Sequence, residues 1–468
     1  MIRARSLIAV ALLLSLVGCK VGPNYKRPAL TVPDQYRSVA PDATTQPQAS
    51  ATGPEKPFGE LKWFEVFQDQ ALDSLIREAL TNNYDLRIAA ARVEQARAIV
   101  GIRKADQLPQ VSASGSIVNE RSGFYPGAPT YDTIGIQASY IVDFWGQYRR
   151  ATEAARANLV ATEFGQNVVR TTLVTGVASS YFQLRQYDMQ LEYSKKTLEA
   201  DKGMLNLNTI KFKGGESPET DVYQAQLLVQ QAEAQIISLE ASIQQTENAI
   251  SVLLGRNPGP IARGTNLVDQ PHMPDVPPGL PSTLLTRRPD VQRAEQQLVA
   301  ANANVGVAKA AFFPQFSLTG AFGAQSTSIT SFLQGPATFW SAGGQVLQPI
   351  FQGGRIRSNY RLAWAQRDEA ELAYKQSVQL AVNDVANNLV GYTQARKYRI
   401  KIAEQTQTYF DTAHLANVRF TGGATSFLEV LVTQQQYFDS ELALAQAWNA
   451  ELQNYVQLYR SLGGGWEQ

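Results

Sequence analysis

The sequence repeats itself once along most of its length. Four short motifs return in the same order 205 to 208 residues later, so the two copies differ by only a few insertions. The repeated pairs are Leu108–Val111 with Phe313–Phe316, Phe144–Gln147 with Phe351–Gly354, Lys211–Gly215 with Arg419–Gly423, and Leu254–Gly255 with Leu462–Gly463. A duplication this long indicates two copies of one architectural unit. Each copy predicts two strands, a very long helix, a tight turn and a shorter helix, in that order.

The first residues have the pattern of an export signal rather than of a folded domain. Arg3 and Arg5 form a basic start, Leu7–Leu14 is apolar, and Cys19 follows a small residue. This ending resembles the bacterial lipobox, so residues 1–18 are predicted to be a lipoprotein signal peptide and Cys19 to carry a covalent lipid. A buried structural thiol is the alternative. Cys19 is the only cysteine, which excludes a disulfide within the chain.

Charge and hydropathy narrow the class of protein further. The 42 Lys and Arg residues nearly balance the 41 Asp and Glu residues, which gives no electrostatic reason to expect a nucleic-acid partner. No run of 18 apolar residues follows Cys19, so no membrane-spanning helix is predicted. The mature chain is therefore expected either to be tethered by lipid alone or to cross the membrane as β-strands.

The region before the first repeated motif changes from a tether to helices. Residues 28–57 are rich in Pro, Ala, Thr, Gln and Ser and are predicted to be extended. A helical period begins near Leu72, pauses around Asn82–Asn83, and resumes from Asp85 to about Lys104.

Three segments alternate with the period of β-strands, and a fourth does so less regularly. Small and apolar residues alternate with polar ones over Val111–Ile117, Ile134–Val142 and Phe316–Phe322, and a less regular strand is expected at about 338–349. The 45 residues from Ala310 to Gly354 include no charged side chain. Uncharged strands favour two transmembrane hairpins with one face to lipid and one to water. The alternative is a soluble sheet with one solvated face, which usually carries Lys and Glu.

Four transmembrane strands from one chain cannot close a β-barrel. Open strand edges leave N–H and C=O groups unpaired in lipid, at a cost of several kcal/mol each, and bacterial barrels have about eight strands or more. The chain is therefore predicted to oligomerise, and three copies would supply twelve strands.

Each predicted hairpin is followed by a very long helical pattern. Gln147 to about Thr209, and Gly354 to about Val418, are rich in Ala, Leu, Gln, Glu and Arg. At about 1.5 Å per residue each helix would reach roughly 90 Å, a length that favours coiled-coil or tube packing over a solid helical bundle. Small residues for close helix contacts are Ala154, Ala155, Ala157, Ala161, Ala363, Ala365, Ala370 and Ala373.

The two long helices are predicted to end at glycine pairs. Gly214–Gly215 and Gly422–Gly423 supply the left-handed residue that commonly terminates a helix. Ser217 followed by Pro218 has the pattern of an N-cap and a first helical position. Both sites are therefore predicted to be helical hairpin turns, whose role is either docking or chain reversal alone.

The residues for enzyme chemistry are sparse. His272 and His414 are the only histidines, and no HExxH, Walker, GxGxxG or cysteine-rich zinc motif occurs. The sequence therefore predicts neither an enzyme nor a metal site, and no cofactor apart from the lipid on Cys19.

Three stretches carry a resemblance to a known family: Val21–Pro28 after the lipid cysteine, Trp63–Leu80, and Gly279–Asp290. Together with the duplicated glycine turns, they make the chain similar to the lipidated outer-membrane factors of the TolC/OprM type (NodT-like subfamily). Those proteins are the exit ducts of tripartite efflux pumps. The resemblance runs from Cys19 to about Gly464.

The resemblance implies an α+β membrane protein that works as a homotrimer. A 12-stranded transmembrane β-barrel, four strands from each chain, would stand in the outer membrane of a Gram-negative bacterium and continue into a 12-helix periplasmic α-barrel. It also implies a periplasmic adaptor protein docked at the helical turns, and an inner-membrane transporter, of RND type, that drives export. A duct of a type I protein secretion system and a non-channel coiled-coil structural lipoprotein are the alternative functions.

The resemblance also assigns residues to the docking turns. The residues carried over are Phe212, Gly214, Gly215, Ser217, Arg419, Phe420, Gly422, Gly423 and Ser426. Related channels often have an aspartate ring near the constriction, where this chain has Asn417. Asp411, Glu216 and Glu219 are the nearby acids that would replace it.

The sequence predicts a division into nine segments that follows the duplication. They are residues 1–18 (signal peptide), 19–62 (lipid-anchored extended segment), 63–106 (equatorial and first tunnel helices), 107–146 (first transmembrane hairpin), 147–254 (first long helix, turn and return helix), 255–309 (equatorial linker and helix of the second repeat), 310–352 (second hairpin), 353–462 (second long helix, turn and return helix) and 463–468 (C-terminal tail).

Overall fold

The structure is a computed structural model that describes most of the chain. The described residues are 20–30, 33, 58, 61–118, 131–270, 284–326 and 337–466. Three sequence predictions, for the signal peptide, for Cys19 and for most of the 28–57 tether, fall outside these ranges. His272 and the first part of the Gly279–Asp290 stretch also lie outside them.

Helices and strands alternate in the predicted order along the described residues. The helices are α1 (Trp63–Phe67), α2 (Gln70–Asn82), α3 (Tyr84–Ala105), α4 (Gln147–Lys213), α5 (Glu219–Leu253), α6 (Leu284–Arg287), α7 (Pro289–Ala310), α8 (Arg355–Thr421) and α9 (Phe427–Ser461). The strands are β1 (Gln110–Val118), β2 (Tyr131–Val142), β3 (Gln315–Ser326) and β4 (Ala337–Leu347).

The duplication is visible in the lengths of the helices. The long helices α4 and α8 contain 67 residues each, and the return helices α5 and α9 contain 35 each. The helices α3 and α7, which precede the two strand pairs, contain 22 residues each. The repeated motifs therefore mark two copies of one architectural unit, as the sequence predicts.

The long helices end directly before the glycine pairs, as predicted. They start at Gln147 and Arg355 and run to Lys213 and Thr421, three or four residues beyond the approximate limits of Thr209 and Val418 given by the helical pattern. The glycine turns that follow satisfy the last carbonyl groups of each helix by hydrogen bonds.

The four strands form one antiparallel sheet in the order β1-β2-β3-β4. The pairing of β2 with β3 joins the first copy of the repeat to the second. Both sides of the sheet are largely exposed in the single chain, and β1 and β4 form its two edges. The fourth strand ends at Leu347 rather than at about residue 349.

Two glycines let the copies approach closely within the sheet. Gly135 of β2 pairs directly with Gly323 of β3. A Cβ atom on Gly323 would lie 2.5 Å from the carbonyl oxygen of Ile134, and one on Gly135 would lie 3.0 Å from that of Phe322. Backbone atoms cannot yield as a flexible side chain can, so this pair admits no side chain without a shift of the strands.

The chain divides into two compact units. The first contains Met1–Leu30, Ala91–Glu163 and Arg293–Gln376. The second contains Thr31–Ala90, Phe164–Gln292 and Ser377–Gln468.

Small residues form a buried helix contact in the first unit. Ala154 and Ala157 of α4 pack against Ala300 and Ala303 of α7. Small side chains at these positions allow the helix backbones to approach closely. The alanines of the second copy behave differently, because Ala363 is buried but Ala365 and Ala373 are exposed in the single chain.

The segment Lys20–Pro28 is held in the first unit by a buried arginine. Arg150 donates hydrogen bonds to the Val21 carbonyl at 3.3 Å and to Asn24 Oδ1 at 2.8 Å. The Tyr25 hydroxyl donates to Glu295 at 3.0 Å. Because polar side chains hold this segment in register, Val21–Pro28 is a structural element rather than a loose tether.

An aromatic core and a satisfied carboxylate organise the second unit. Phe58 packs against Tyr455 and Tyr459 with ring centroids 5.0 and 5.6 Å apart. The buried Asp69 caps α2 through the N–H groups of Ala71 and Leu72. Its other oxygen accepts hydrogen bonds from three groups, Tyr181 Oη, Gln270 Nε2 and the Thr265 N–H. No helix within the described ranges is both long and apolar enough to cross a bilayer.

Candidate functional site at the helical turns

The first long helix ends in a hydrogen-bonded glycine turn, which we call turn 1 (Lys211–Pro218). The Glu216 N–H donates to the Lys211 carbonyl at 2.9 Å, and the Gly215 N–H donates to the Phe212 carbonyl at 2.9 Å. These two bonds define a Schellman motif, which requires a left-handed residue. Gly215 supplies it, with φ of 75°.

The second long helix ends in the same way, in turn 2 (Arg419–Ser426). The Ala424 N–H donates to the Arg419 carbonyl at 2.8 Å, and the Gly423 N–H donates to the Phe420 carbonyl at 3.0 Å. Gly423 has φ of 72°. The prediction that each glycine pair includes a residue with positive φ is therefore confirmed at both turns.

The space around these glycines is open. No atom lies within 4 Å of the place that a Cβ atom would take on Gly215 or Gly423. The equivalent glycines at the ends of the return helices are crowded. A Cβ on Gly255 would lie 2.5 Å from the Asn82 carbonyl oxygen, and one on Gly463 would lie 3.2 Å from Arg287. The turns therefore present bare backbone that another molecule can approach.

The first return helix, α5, begins one residue later than predicted. Pro218 is the N-cap of α5, with φ of −75° and ψ of 155°, so Ser217 is not the N-cap and Pro218 is not the first helical residue. The N-cap of α9 is Ser426, which occupies the place of Pro218 in the second copy. Proline at that place fixes the extended backbone that an N-cap needs, which is why Ser217 is displaced by one position.

The two turn phenylalanines have opposite environments. Phe212 is 40% exposed, whereas Phe420 is 6% exposed. Phe420 packs in a cluster with Met204, Ala225 and Phe427, and its ring centroid lies 5.5 Å from that of Phe427. Phe420 therefore stabilises turn 2 from inside, and only Phe212 offers an aromatic surface in the single chain.

Charged groups complete turn 2. Arg419 is half exposed and pairs with Glu429 of α9 at 3.4 Å. The Thr425 hydroxyl also donates to Glu429. The ammonium group of Lys211 lies 4.2 Å from the centroid of the Phe420 ring, a cation–π contact between turn 1 and turn 2.

The position of the expected acidic ring has an unusual environment. The side-chain oxygen of Asn417 is buried and accepts no hydrogen bond from any described residue. The nearby acids are exposed. Asp411 accepts a hydrogen bond from Gln407 at 3.0 Å, and Glu219 accepts one from the Tyr223 hydroxyl at 3.0 Å.

The family-like Gly279–Asp290 stretch ends in a partly buried ion-pair cluster. Arg288 contacts Asp290 at 2.6 Å and Asp384 at 3.0 Å, and it donates to the Ser461 carbonyl at 3.3 Å. Burial would raise the pKa of the Asp290 carboxyl, but the hydrogen bonds and charge of Arg288 outweigh it and hold that pKa below its ordinary value. The cluster fixes the end of α9.

Sequence reasoning missed Lys211, Phe427 and Glu429, which hold the turns in shape. Lys211 stands at the place of Arg419 in the repeat, so the aligned motifs carried a signal for it. Phe427 and Glu429 have no such signal, since their partners come from helices that lie next to them only in the folded chain.

The chain was compared with known protein families and structures. The family model described as outer membrane efflux protein matches residues 75–256 and 280–464. The solvent efflux pump outer membrane protein SrpC of Pseudomonas putida is 34% identical, over 97% of each chain. The cation efflux system protein CusC of Escherichia coli O6:H1 is 32% identical, over 99% of each chain.

Solved structures agree with the sequence comparisons. The open state of the MtrE outer membrane channel of Neisseria gonorrhoeae has a TM-score of 0.85 at 27% identity, over 96% of this chain and 99% of that chain. A crystal structure of CusC has a TM-score of 0.83 at 30% identity, over 96% of this chain and all of that one. With its duplicated helices, four-stranded sheet and paired glycine turns, the chain belongs to the outer membrane efflux protein family.

Proposed function

We propose that the protein is the outer-membrane exit duct of a tripartite efflux pump. It passively conducts small molecules that an inner-membrane transporter, of RND type, delivers through a periplasmic adaptor. The observation that carries this proposal is a sheet of four uncharged or nearly uncharged strands whose two edge strands have no further partner within the described chain. The relatives belong to a family of efflux channels rather than of enzymes.

The strand edges support a homotrimer. In lipid, the free N–H and C=O groups of β1 and β4 need partners, and another copy of the chain supplies them when its β1 pairs with β4. Three copies give a closed barrel of twelve strands. The same count gives twelve long helices, since α4, α5, α8 and α9 come from each chain.

The unequal exposure of the two repeats also supports the trimer. Helix α8 exposes many large apolar side chains, whereas its counterpart α4 exposes only Ile210 and Phe212. Among those of α8 are Leu362, Leu372, Leu380, Val390, Tyr398, Ile400, Leu415 and Val418. An apolar face of this extent marks a contact with another surface. In a ring of alternating copies, the first repeat of the next chain covers it.

The cation–π contact between turn 1 and turn 2 of one chain predicts an equivalent contact between neighbouring chains. Lys211 of the first repeat lies over Phe420 of the second repeat within one chain. Arg419 and Phe212 are the equivalent residues with the repeats exchanged. In a pseudo-sixfold ring, Arg419 of one chain would lie over Phe212 of the next chain, which would cover the exposed ring of Phe212.

The open turns support docking of the adaptor. Gly215 and Gly423 leave the backbone bare, with no atom of the chain within 4 Å of the place that a Cβ atom would take. An incoming protein segment can approach this backbone without displacing any packed side chain.

The residues after Cys19 support lipidation at that cysteine. The Val21 N–H donates to the Trp145 carbonyl at 3.1 Å, and Lys20 pairs with Glu153 at 3.4 Å. These contacts hold Lys20 and Val21 beside the junction of β2 and α4, where a strand that is proposed to span the membrane ends. One acyl chain anchors weakly, so several are expected. Mass spectrometry of the mature N-terminus should find acylated Cys19, and an unmodified cysteine or another first residue would refute this.

Electrical conductance tests the duct directly. The purified full-length protein, added to planar lipid bilayers, should give discrete current steps of uniform size. A coiled-coil structural lipoprotein would give none, and that result would refute the proposal. Export assays in cells that lack their own duct then separate the two transport roles, because an efflux duct restores resistance to small toxic molecules and a secretion duct restores release of a protein.

A further inference from the structure

Helices α4, α8 and α9 border an open cavity of about 280 Å³ within the second unit. We call it the acceptor cavity. Asp201 of α4, Asn417 of α8, and Gln434 and Glu441 of α9 line it, with Phe410 and Tyr437 as aromatic walls. It lies among the packed helices, apart from the bare backbone of the glycine turns.

The carboxylate of Asp201 is buried without compensation. Asp201 is 3% exposed, and no hydrogen bond or ion pair reaches it from the described part of the chain. Asp69 is equally buried, at 3% exposed, yet it accepts hydrogen bonds from five groups. Because a buried charge is costly unless it is paired, the contrast marks Asp201 as a group that lacks its partner.

Two further acceptors in the same cavity lack donors. The side-chain oxygens of Asn417 and Gln434 are buried, and neither accepts a hydrogen bond within the described residues. Native proteins satisfy the large majority of such atoms, and exceptions call for an explanation. Three unsatisfied acceptor groups around one cavity define a site that is complementary to a donor with several N–H groups.

The other residues that line the cavity indicate the charge and shape of that donor. Glu441 adds a second carboxylate, although the Tyr437 hydroxyl already donates to it at 2.7 Å. Phe410 and His414 stack with ring planes 13° apart, and they supply a flat aromatic surface. Lys196, the one cationic side chain in the lining, pairs with Glu192 at 2.7 Å and is largely exposed. The cavity thus combines negative charge, acceptors and aromatic faces.

We propose that the acceptor cavity is a binding site for a small organic cation. Its amidinium, guanidinium or ammonium group donates hydrogen bonds to Asp201, Asn417 and Gln434, and its apolar part packs against Phe410 and Tyr437. Charge-assisted hydrogen bonds to a carboxylate and cation–π contacts with aromatic faces favour such a ligand. A metal ion does not fit, because no three His, Cys, Asp or Glu side chains of the described residues are grouped to hold one.

Calorimetry with a matched pair of probes tests the charge requirement. The purified full-length protein is titrated with benzamidine, which carries an amidinium, and with benzamide, its neutral analogue of nearly the same shape. We expect saturable binding of benzamidine and at least about tenfold weaker binding of benzamide. A hydrogen bond to a charged group changes an affinity by about this factor or more. Equal binding of both probes, or saturable binding of neither, would overturn the proposal. This comparison uses the unaltered chain and needs no channel activity.

A second pair of measurements locates the site. Asp201→Asn should weaken benzamidine binding at least about tenfold, because it removes the charge and leaves the size unchanged. Asp439→Asn is the matched control, since Asp439 is an exposed carboxylate of α9 that does not line the cavity. Size-exclusion chromatography checks that both variants assemble as the parent does. Benzamidine binding that survives Asp201→Asn, or that falls equally in the control, contradicts the assignment, and the charge selectivity of the parent protein decides the matter if Asp201→Asn does not assemble.

Discussion

At the scale of single residues, glycine has two different roles at the ends of the helices. Gly255 and Gly463 take positive φ in crowded surroundings, where their lack of a side chain allows close packing. Gly215 and Gly423 take positive φ in open space, where no neighbouring atom would clash with a side chain. Their bare surface is therefore free to serve contact with another protein.

Aspartate at the turns should separate docking from folding. In Gly215→Asp or Gly423→Asp the positive φ costs about 1–2 kcal/mol, a small loss for an assembly with so much buried helix. The new Cβ atom meets no atom of the chain within 4 Å, so the trimer and its membrane insertion should persist. Export should nevertheless be abolished, because a charged side chain blocks the adaptor. Drug accumulation, outer-membrane trimer and adaptor cross-linking, measured in the same cells, check this.

Gly203→Asp is the matched control for the turn variants. Gly203 lies in helix α4, which leads into turn 1, and it is exposed. No atom lies within 4 Å of the place that its Cβ atom would take. The same substitution there should leave export and cross-linking at parental levels. Normal export in the turn variants, or loss of their trimer, would show that the turns do not dock the adaptor.

Asp201 should make stability depend on pH. Burial raises the pKa of Asp201 to about 6 from its ordinary 3.8, so the folded state holds this proton more tightly than the unfolded state does. The free energy of unfolding therefore falls as the pH rises from about 4 to above 6, by about 3 kcal/mol at most. Glu441 faces the same cavity, and burial raises its pKa in the same sense, whereas Lys196 at the rim opposes it.

The Asp201→Asn variant isolates this effect. Its melting temperature should exceed that of the parent protein at pH 7.5, and the difference should be much smaller near pH 4, where Asp201 is protonated in the folded state and partly protonated in the unfolded state. Thermal melting of the detergent-solubilised protein at both pH values measures it. A difference that is constant with pH would contradict the titration of Asp201.

At the scale of elements, the sequence predicts what depends on local pattern. The alternation of β1 to β3 and the glycine pairs after α4 and α8 were sufficient to place those elements and turns. Side-chain chemistry alone did not place the N-cap at Pro218, because the backbone that Pro218 fixes competes with the capping preference of Ser217. Nor did it show that Phe420 is buried and Phe212 exposed, since both stand in the same motif and differ only in their tertiary neighbours.

The glycine pair in the sheet gives a prediction about the strands. Gly323→Ala places a methyl group 2.5 Å from the Ile134 carbonyl oxygen, so β2 and β3 must separate. We expect less folded protein in the outer membrane and a lower melting temperature. Gly115→Ala in β1 is the control, because the nearest atom to a Cβ there is the Thr133 carbonyl oxygen of β2, at 4.0 Å. Equal yields of the two variants, measured by quantitative blotting of outer-membrane fractions, would contradict the close approach.

At the scale of the whole molecule, we propose that the single chain is one third of the working assembly. Its equal helix lengths define two equivalent repeats, yet the surfaces of these repeats differ in exposure at α4 and α8. Both observations are explained if each repeat packs between two other repeats and one of those two belongs to another chain. The sequence predicts the trimer through its strand count, but the residues at the interface follow only from the folded structure.

Cross-linking between the turns tests the trimeric ring most directly. The double variant Phe212→Cys with Arg419→Cys, treated with a short bis-maleimide in membranes, should yield covalent dimers and trimers on denaturing gels, and nothing larger than three chains. The matched pair Lys211→Cys with Phe420→Cys, whose parent residues touch within one chain, should yield internally linked monomers. Each single-cysteine variant controls for Cys19, the only native cysteine. Monomers alone from the first pair, with efficient internal linkage in the second, would contradict the proposed ring of alternating repeats.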